Sequence, residues 1–191
     1  MTRKKILTKV AVYCGLTSPI LVFTLIFYAI SLAPWFSWTE NALSDLGVDE
    51  KAGFPFNLAL ILGGVFLALF TVGFKDTLPN KVFSKISSSL MFLDSVALCA
   101  IGIFPENVKP WHFYASFTFF VLIPFFQFLA GGAFLSEGEK STGWFTVVLG
   151  AITLAVWAFP WKAVAIPEAI TALILTVWII IMSVRMHERL D

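Results

Sequence analysis

Six apolar stretches dominate this chain, at about 10–33, 55–74, 86–104, 111–135, 144–161 and 166–184. Each is near the roughly 20 residues that carry an α-helix across a bilayer core. None alternates polar and apolar residues as the strands of a membrane barrel must, so closed barrels are set aside. The remaining solution is an all-α integral membrane protein, a single domain of six transmembrane helices. Composition agrees: 59% of the residues are hydrophobic and 13% charged, against 45–50% and about 25% in soluble domains. A net charge of +1 gives no basic surface for nucleic acid.

Basic residues set the expected orientation. Arg3, Lys4, Lys5, Lys9, Lys75, Lys81, Lys85, Lys140, Arg185 and Arg189 fall on one side, against Lys51, Lys109 and Lys162 on the other. The first side is expected to be cytoplasmic and to hold both termini, in a multi-pass protein of the cell membrane. Trp35, Trp38, Trp111 and Trp161 then form an aromatic belt at the outer boundary, and Trp144 marks the inner one. Residues 10–33 are too long for a signal-peptide core and lack a small-x-small site before Pro34 and Trp35, so they read as a retained helix. Cys14 and Cys99 fall near opposite ends of their helices, about 20 Å apart at ~1.5 Å per residue. A disulfide between them is excluded.

Connections at 75–85, 105–110, 136–143 and 162–165 are short, so consecutive helices are expected to be antiparallel neighbours. The outer loop 34–54 is the exception, and long loops in compact domains are usually functional or disordered. It is not low in complexity, and it is the expected lid of any outer-face pocket. Polar residues collect on the same side: Glu40, Asn41, Ser44, Asp45, Asp49, Glu50, Asn57, Glu106, Asn107, His112 and Glu168. Antiparallel packing brings their helix ends to one depth, where Asp45, Glu106, His112 and Glu168 are expected to share a pocket rimmed by Trp35, Trp38 and Trp111.

Each of these residues also has a plainer reading. Asp49 and Glu50 suit loop solvation, as do Glu40 and Glu106. Asp45 suits local capping. Glu168 follows Pro167 at a helix start, where a carboxylate meets the positive end of the dipole. As chemistry, carboxylates beside an imidazole suit acid–base work or metal ligation. The metal option is thin. There is one histidine on this side and no His-Glu-x-x-His, and an oxygen-rich calcium or magnesium site is unspecific, so no cofactor is expected. A hydrolase would use Ser44 as nucleophile and His112 as base, with Asp45 or Glu106 orienting it. No Gly-x-Ser-x-Gly elbow supports it.

Asp94 stands apart, near the middle of the third span. A carboxyl there is costly and points to function by default. No Lys or Arg lies in any span, so it is expected to be protonated or bonded to Ser95, Gln127, Thr118 or Thr153. Gly63-Gly64 and Gly131-Gly132 suit close helix approach. His187 lies in a solvated terminal segment.

Asn41-Ala42-Leu43-Ser44-Asp45-Leu46-Gly47, followed by Phe54-Pro55 and Asn57, resembles the bacterial and archaeal membrane family called domain of unknown function 998. Gly102-Ile103-Phe104-Pro105-Glu106 followed by His112 matches its second hallmark, and Glu168 is compatible with an acidic residue at the last helix. The resemblance covers nearly the whole chain and groups Ser44, Asp45, Glu106 and His112 as one site. More distantly, the chain is similar to eukaryotic six-span proteins that include autophagy modulators and GPI-anchor lipid-remodelling proteins, which implies membrane lipids as partners. Three functions follow as expectations: binding of a lipid or amphiphile, lipid hydrolysis or acyl transfer, and proton- or cation-coupled transport through Asp94.

Overall fold

A computed structural model describes residues 3–78 and 81–190. Six helices follow in order: α1 (Arg3–Leu32), α2 (Gly53–Phe74), α3 (Lys81–Ile103), α4 (Trp111–Ser136), α5 (Lys140–Ala158) and α6 (Ala165–Glu188). All six are long and apolar enough to cross a membrane. A short 3-10 helix, Leu43–Val48, interrupts the long loop between α1 and α2.

Helix ends follow backbone chemistry rather than hydropathy. Several helices run past the apolar stretch into polar residues, as α1 does by starting at Arg3 and α6 by ending at Glu188. The fifth instead stops at Ala158, short of the predicted 161. Pro160 forces Phe159 into extended backbone at φ −78°, ψ 139°, as expected for the residue before a proline. Pro19 and Pro124 lie inside α1 and α4. Prolines are tolerated in spanning helices because neighbours re-satisfy the freed backbone groups.

Each helix packs on the next, and α6 returns to pack on α1, so the bundle closes on itself. By contrast α4 and α6 barely meet, because α5 stands beside both. The centre of one half is Trp178, fully buried. Its ring lies 6.3 Å from Phe70, 5.2 Å from Phe74 and 5.6 Å from Phe126. Its indole N–H donates to Thr146 Oγ1 at 3.1 Å, which gives a buried tryptophan the partner it needs. One side chain thereby joins α2, α4, α5 and α6.

Of the two glycine pairs, one member of each mediates close approach. A Cβ on Gly64 would sit 2.6 Å from the Ser95 carbonyl, and one on Gly131 would sit 3.0 Å from the Gly143 carbonyl. Gly132 faces open space and Gly63 borders a cavity. Cys14 and Cys99 are both free thiols.

The two ends of the bundle differ. At one, Glu139 in the α4–α5 turn pairs with Arg185 and, at 2.8 Å, with Arg189. Arg189 also donates to the Thr77 carbonyl at 3.0 Å. Such half-exposed pairs contribute about 0–1 kcal/mol each. At the other end a second apolar cluster forms, in which Leu43, Leu46 and Ala52 from the long loop pack against Ala29, Phe56 and Ala165. The expected lid is therefore packed into the bundle end as a plug, with Leu46 fully buried.

Candidate functional site

The plug helix begins with backbone donors that no helical carbonyl reaches. Carboxyls take them up. Asp45 Oδ2 accepts the Ala42 N–H at 2.9 Å, and Glu168 Oε2, from the first turn of α6, accepts the Leu43 N–H at 2.7 Å. The Ser44 hydroxyl donates to Glu106 Oε2 at 3.1 Å, which ties the plug to the α3–α4 loop. The Ala165 N–H donates to the Asn41 carbonyl at 3.0 Å, a second strap to α6. Behind the plug, Asn57 Nδ2 donates to the Gly47 carbonyl at 2.8 Å. A Cβ on Gly47 would lie 2.7 Å from Asn57 Oδ1, so a side chain there would have to displace the Asn57 amide. The Ser-Asp-Leu-Gly segment thus serves a specific geometry: serine and aspartate turn to the site, while leucine is the plug and glycine admits the next helix.

Asp45, Glu106 and Glu168 lie within electrostatic reach of one another, and Glu106 within reach of His112. Burial pushes the Glu106 carboxyl above its ordinary range. The hydrogen bond that its protonated form donates to the facing Asp45 carboxyl, and the Asp45 charge, push the same way, while Ser44 and His112 oppose them. His112 is buried at the start of α4. Its Nδ1 lies 2.8 Å from the Phe104 carbonyl. A carbonyl only accepts, so Nδ1 carries the proton, and in a neutral ring Nε2 is the acceptor. Nε2 faces the Ser116 hydroxyl at 3.3 Å.

An apolar cavity of about 120 Å³ opens below this cluster. That is well above the roughly 10–15 Å³ that a single water needs. Ser44, Ser116 and Glu168 border it at the plug end, and Glu106 and His112 stand one hydrogen bond behind the two serines. Its walls then run along α1 from Ile26 back to Cys14, past Phe56, Leu67, Leu175 and Ile179. Twelve residues of helix are about 18 Å deep at ~1.5 Å each. A bilayer core of ~30 Å is two leaflets, so the cavity is about one leaflet deep. Among the described residues, no Lys or Arg borders it.

The structure brings together Ser44, Asp45, Glu106, His112 and Glu168 as the sequence suggests, but their bonding differs from the hydrolase expectation. The Ser44 hydroxyl goes to Glu106, and the serine beside the imidazole is Ser116. Ser116 was missed, although its spacing of four from His112 on one helix was a usable signal. The rim tryptophans need correction. Trp35, Trp38 and Trp111 do not line the cavity but are exposed on the outside of the bundle. Their amphipathic rings favour a membrane–water boundary. Trp35 is fixed there by its indole N–H, which donates to Asp49 Oδ2 at 2.8 Å. Asp49 is more than a solvated loop acid. It also accepts the Lys51 and Ala52 N–H groups at 2.8 Å each, and these bonds, Ala52 first, then Trp35 and Lys51, hold its carboxyl below the ordinary range. Glu40 forms an exposed pair with Lys162 at 3.4 Å.

Asp94 is fully buried, and among the described residues neither carboxyl oxygen has a hydrogen-bond partner. The expected bonds to Ser95, Gln127, Thr118 and Thr153 do not form. The Ser95 hydroxyl instead donates to the Phe92 carbonyl at 2.6 Å, and the Thr153 hydroxyl to the Leu149 carbonyl at 3.0 Å. Both Gln127 side-chain polar atoms are themselves unpartnered. Among the described residues, no group of three His, Cys, Asp or Glu side chains is placed to hold a metal ion.

Six apolar helices, with a half-buried acidic cluster clasping a plug at one end, define a multi-pass membrane protein. The chain belongs to the family described as protein of unknown function (DUF998), whose sequence model matches residues 16–185. No curated protein and no solved structure matches the chain.

Proposed function

We propose that this protein binds a lipid or amphiphile from the extracytoplasmic leaflet of the cell membrane. The apolar chain occupies the interior cavity and the polar head meets the cluster under the plug. The observation that carries this reading is the leaflet-deep apolar cavity with a carboxyl and two hydroxyls at one end. The excess of Lys and Arg at the opposite end of the bundle supports the orientation.

The cluster also selects a head group. Carboxylates and a neutral imidazole nitrogen accept hydrogen bonds. The nearby donors, the Ala42 and Leu43 N–H groups and the Ser44 hydroxyl, are already committed to carboxyl oxygens. The head therefore brings its own donors, as an ammonium or hydroxyl does. A carboxylate or phosphate head brings only acceptors, and these donors have no bond to spare. Native mass spectrometry of the purified protein tests this with three one-chain probes. Mono-oleoylglycerol and oleylamine should be retained and oleate rejected at neutral pH. Retention of oleate as strong as that of the other two would overturn the head-group reading, and rejection of all three would overturn amphiphile binding.

The His112–Ser116 pair supports a second reading, a lipid hydrolase or acyltransferase. His112 would be the base, and Ser116, or Ser44 through a shift of its hydroxyl, the nucleophile. Product formation from glycerolipid by wild type and its loss in His112→Ala would establish it; equal turnover by both would remove His112 from the chemistry. The unpartnered Asp94 keeps a third reading, coupled transport. In that case Asp94→Asn abolishes uptake in proteoliposomes, and full uptake by the variant would exclude it.

A further inference from the structure

Ser116, Phe120 and Glu168 border two apolar clefts at once. One is the interior cavity. The other is a groove of about 540 Å³ on the flank of the bundle where α4, α5 and α6 meet. The groove exists because α4 and α6 barely touch. Phe120 forms the wall between the two clefts. Its ring lies 4.7 Å from that of Trp157 on α5, and the Trp157 indole donates to Thr171 Oγ1 on α6 at 2.9 Å. The partition is therefore braced from both helices that flank it.

The two clefts have matching depth. The groove follows α4 from Phe113 to Phe125, and the cavity follows α1 from Ile26 back to Cys14. Each span is twelve residues, about 18 Å at ~1.5 Å rise, or one leaflet. Phe113, Phe117 and Phe125 in the groove are more than half exposed on a membrane-spanning helix, so they face hydrocarbon. Both clefts start from the same carboxyl and the same hydroxyl, those of Glu168 and Ser116. A one-chain ligand fills one cleft. Two chains joined at one polar junction fill both, with the junction at Glu168 and Ser116, which the clefts share with Phe120.

Resting on the amphiphile reading above, we infer that the preferred occupant is a two-chain lipid with a hydroxyl- or ammonium-bearing head. One chain lies in the interior cavity and the other in the flank groove, and the junction is bound by Glu168 and Ser116. The bilayer itself can fill the groove, so discrimination comes from tethering and close packing rather than from removal of apolar surface from water.

The test compares dioleoylglycerol with mono-oleoylglycerol, which share a neutral hydroxyl head and differ in chain number, by native mass spectrometry of the full-length protein. Wild type should retain dioleoylglycerol in preference. Ala172→Phe, which fills the interior cavity, should weaken both lipids. Val121→Trp, which fills the groove, should weaken dioleoylglycerol about tenfold, a typical size for a lost pocket contact, and leave mono-oleoylglycerol unchanged. Leu154→Trp tests the groove again from a half-exposed position that tolerates bulk. Equal retention of the two lipids by wild type, or groove variants that affect both or neither, would overturn the two-chain inference while leaving the amphiphile site standing. Retention of neither lipid would overturn both.

Discussion

Replacing Glu168 by leucine should loosen the plug. In the native protein its Oε2 takes the Leu43 N–H at 2.7 Å, at the start of the plug helix. Leu43 is 8% exposed, so bulk water has poor access to the freed donor. Leaving a buried donor unpartnered costs about 1–3 kcal/mol. At roughly 2–4 °C per kcal/mol for a chain of this size, the melting temperature should fall by about 2–12 °C. Glu168→Gln keeps a carbonyl oxygen of the same reach and should recover most of the loss. Thermal unfolding in mild detergent, followed by near-UV circular dichroism of the seven tryptophans, reads the effect. Trypsin cleavage after Lys51, an exposed residue of the same loop, gives a local readout and should accelerate in the leucine variant only. A leucine variant that melts with wild type, and is cut no faster at Lys51, would refute the assignment of Glu168 as the clasp of the plug.

Three further outcomes follow from the packing and the charges. Glu106 has a raised pKa in the folded protein, so the folded state holds its proton where the unfolded chain has released it. Stability is then greatest below the ordinary glutamate range and declines as pH rises from there through the raised folded value. Melting temperature measured against pH should show this decline, and Glu106→Gln should flatten it. Trp178→Ala removes a fully buried ring that joins four helices and should cost about 3–5 kcal/mol, seen as a large drop in melting temperature; a small drop would mean the neighbouring aromatics collapse into the gap. Asp94→Leu should raise the melting temperature, because exchanging an unpartnered buried carboxyl for an apolar group of similar size recovers part of about 1–3 kcal/mol. A destabilised leucine variant would reveal a partner for Asp94.

The fold was legible because hydrocarbon is a demanding solvent. Every backbone polar group must be satisfied within the segment, so six apolar runs dictate six helices almost without regard to side-chain detail. The site was legible in part. Short connections put Glu106, His112 and Glu168 at one depth, and the Ser44-Asp45 pair lay in the one loop long enough to reach them. The partners of those residues were not legible. Whether the Ser44 hydroxyl meets Glu106 or His112 depends on how deeply Leu46 sinks, and a leucine beside a Ser-Asp pair carries no such signal. The cavity was hidden for another reason. Its walls are Phe, Leu, Ile and Gly, the same residues that elsewhere fill the bundle, and only packing separates a wall from a core. Trp35, Trp38 and Trp111 misled because an aromatic near a polar cluster suits a pocket rim and a membrane boundary equally well. Asp94 shows the limit of pairing by composition: four polar residues lie on helices that suit it, and none meets it.

Electron cryomicroscopy of the protein in lipid nanodiscs would show a bound amphiphile directly. An occupied site gives an elongated density that starts beside Glu168 and Ser116 and descends between α1, α2 and α6 toward Cys14. An interior closed by its own side chains, or holding only water beneath the plug, would contradict amphiphile binding.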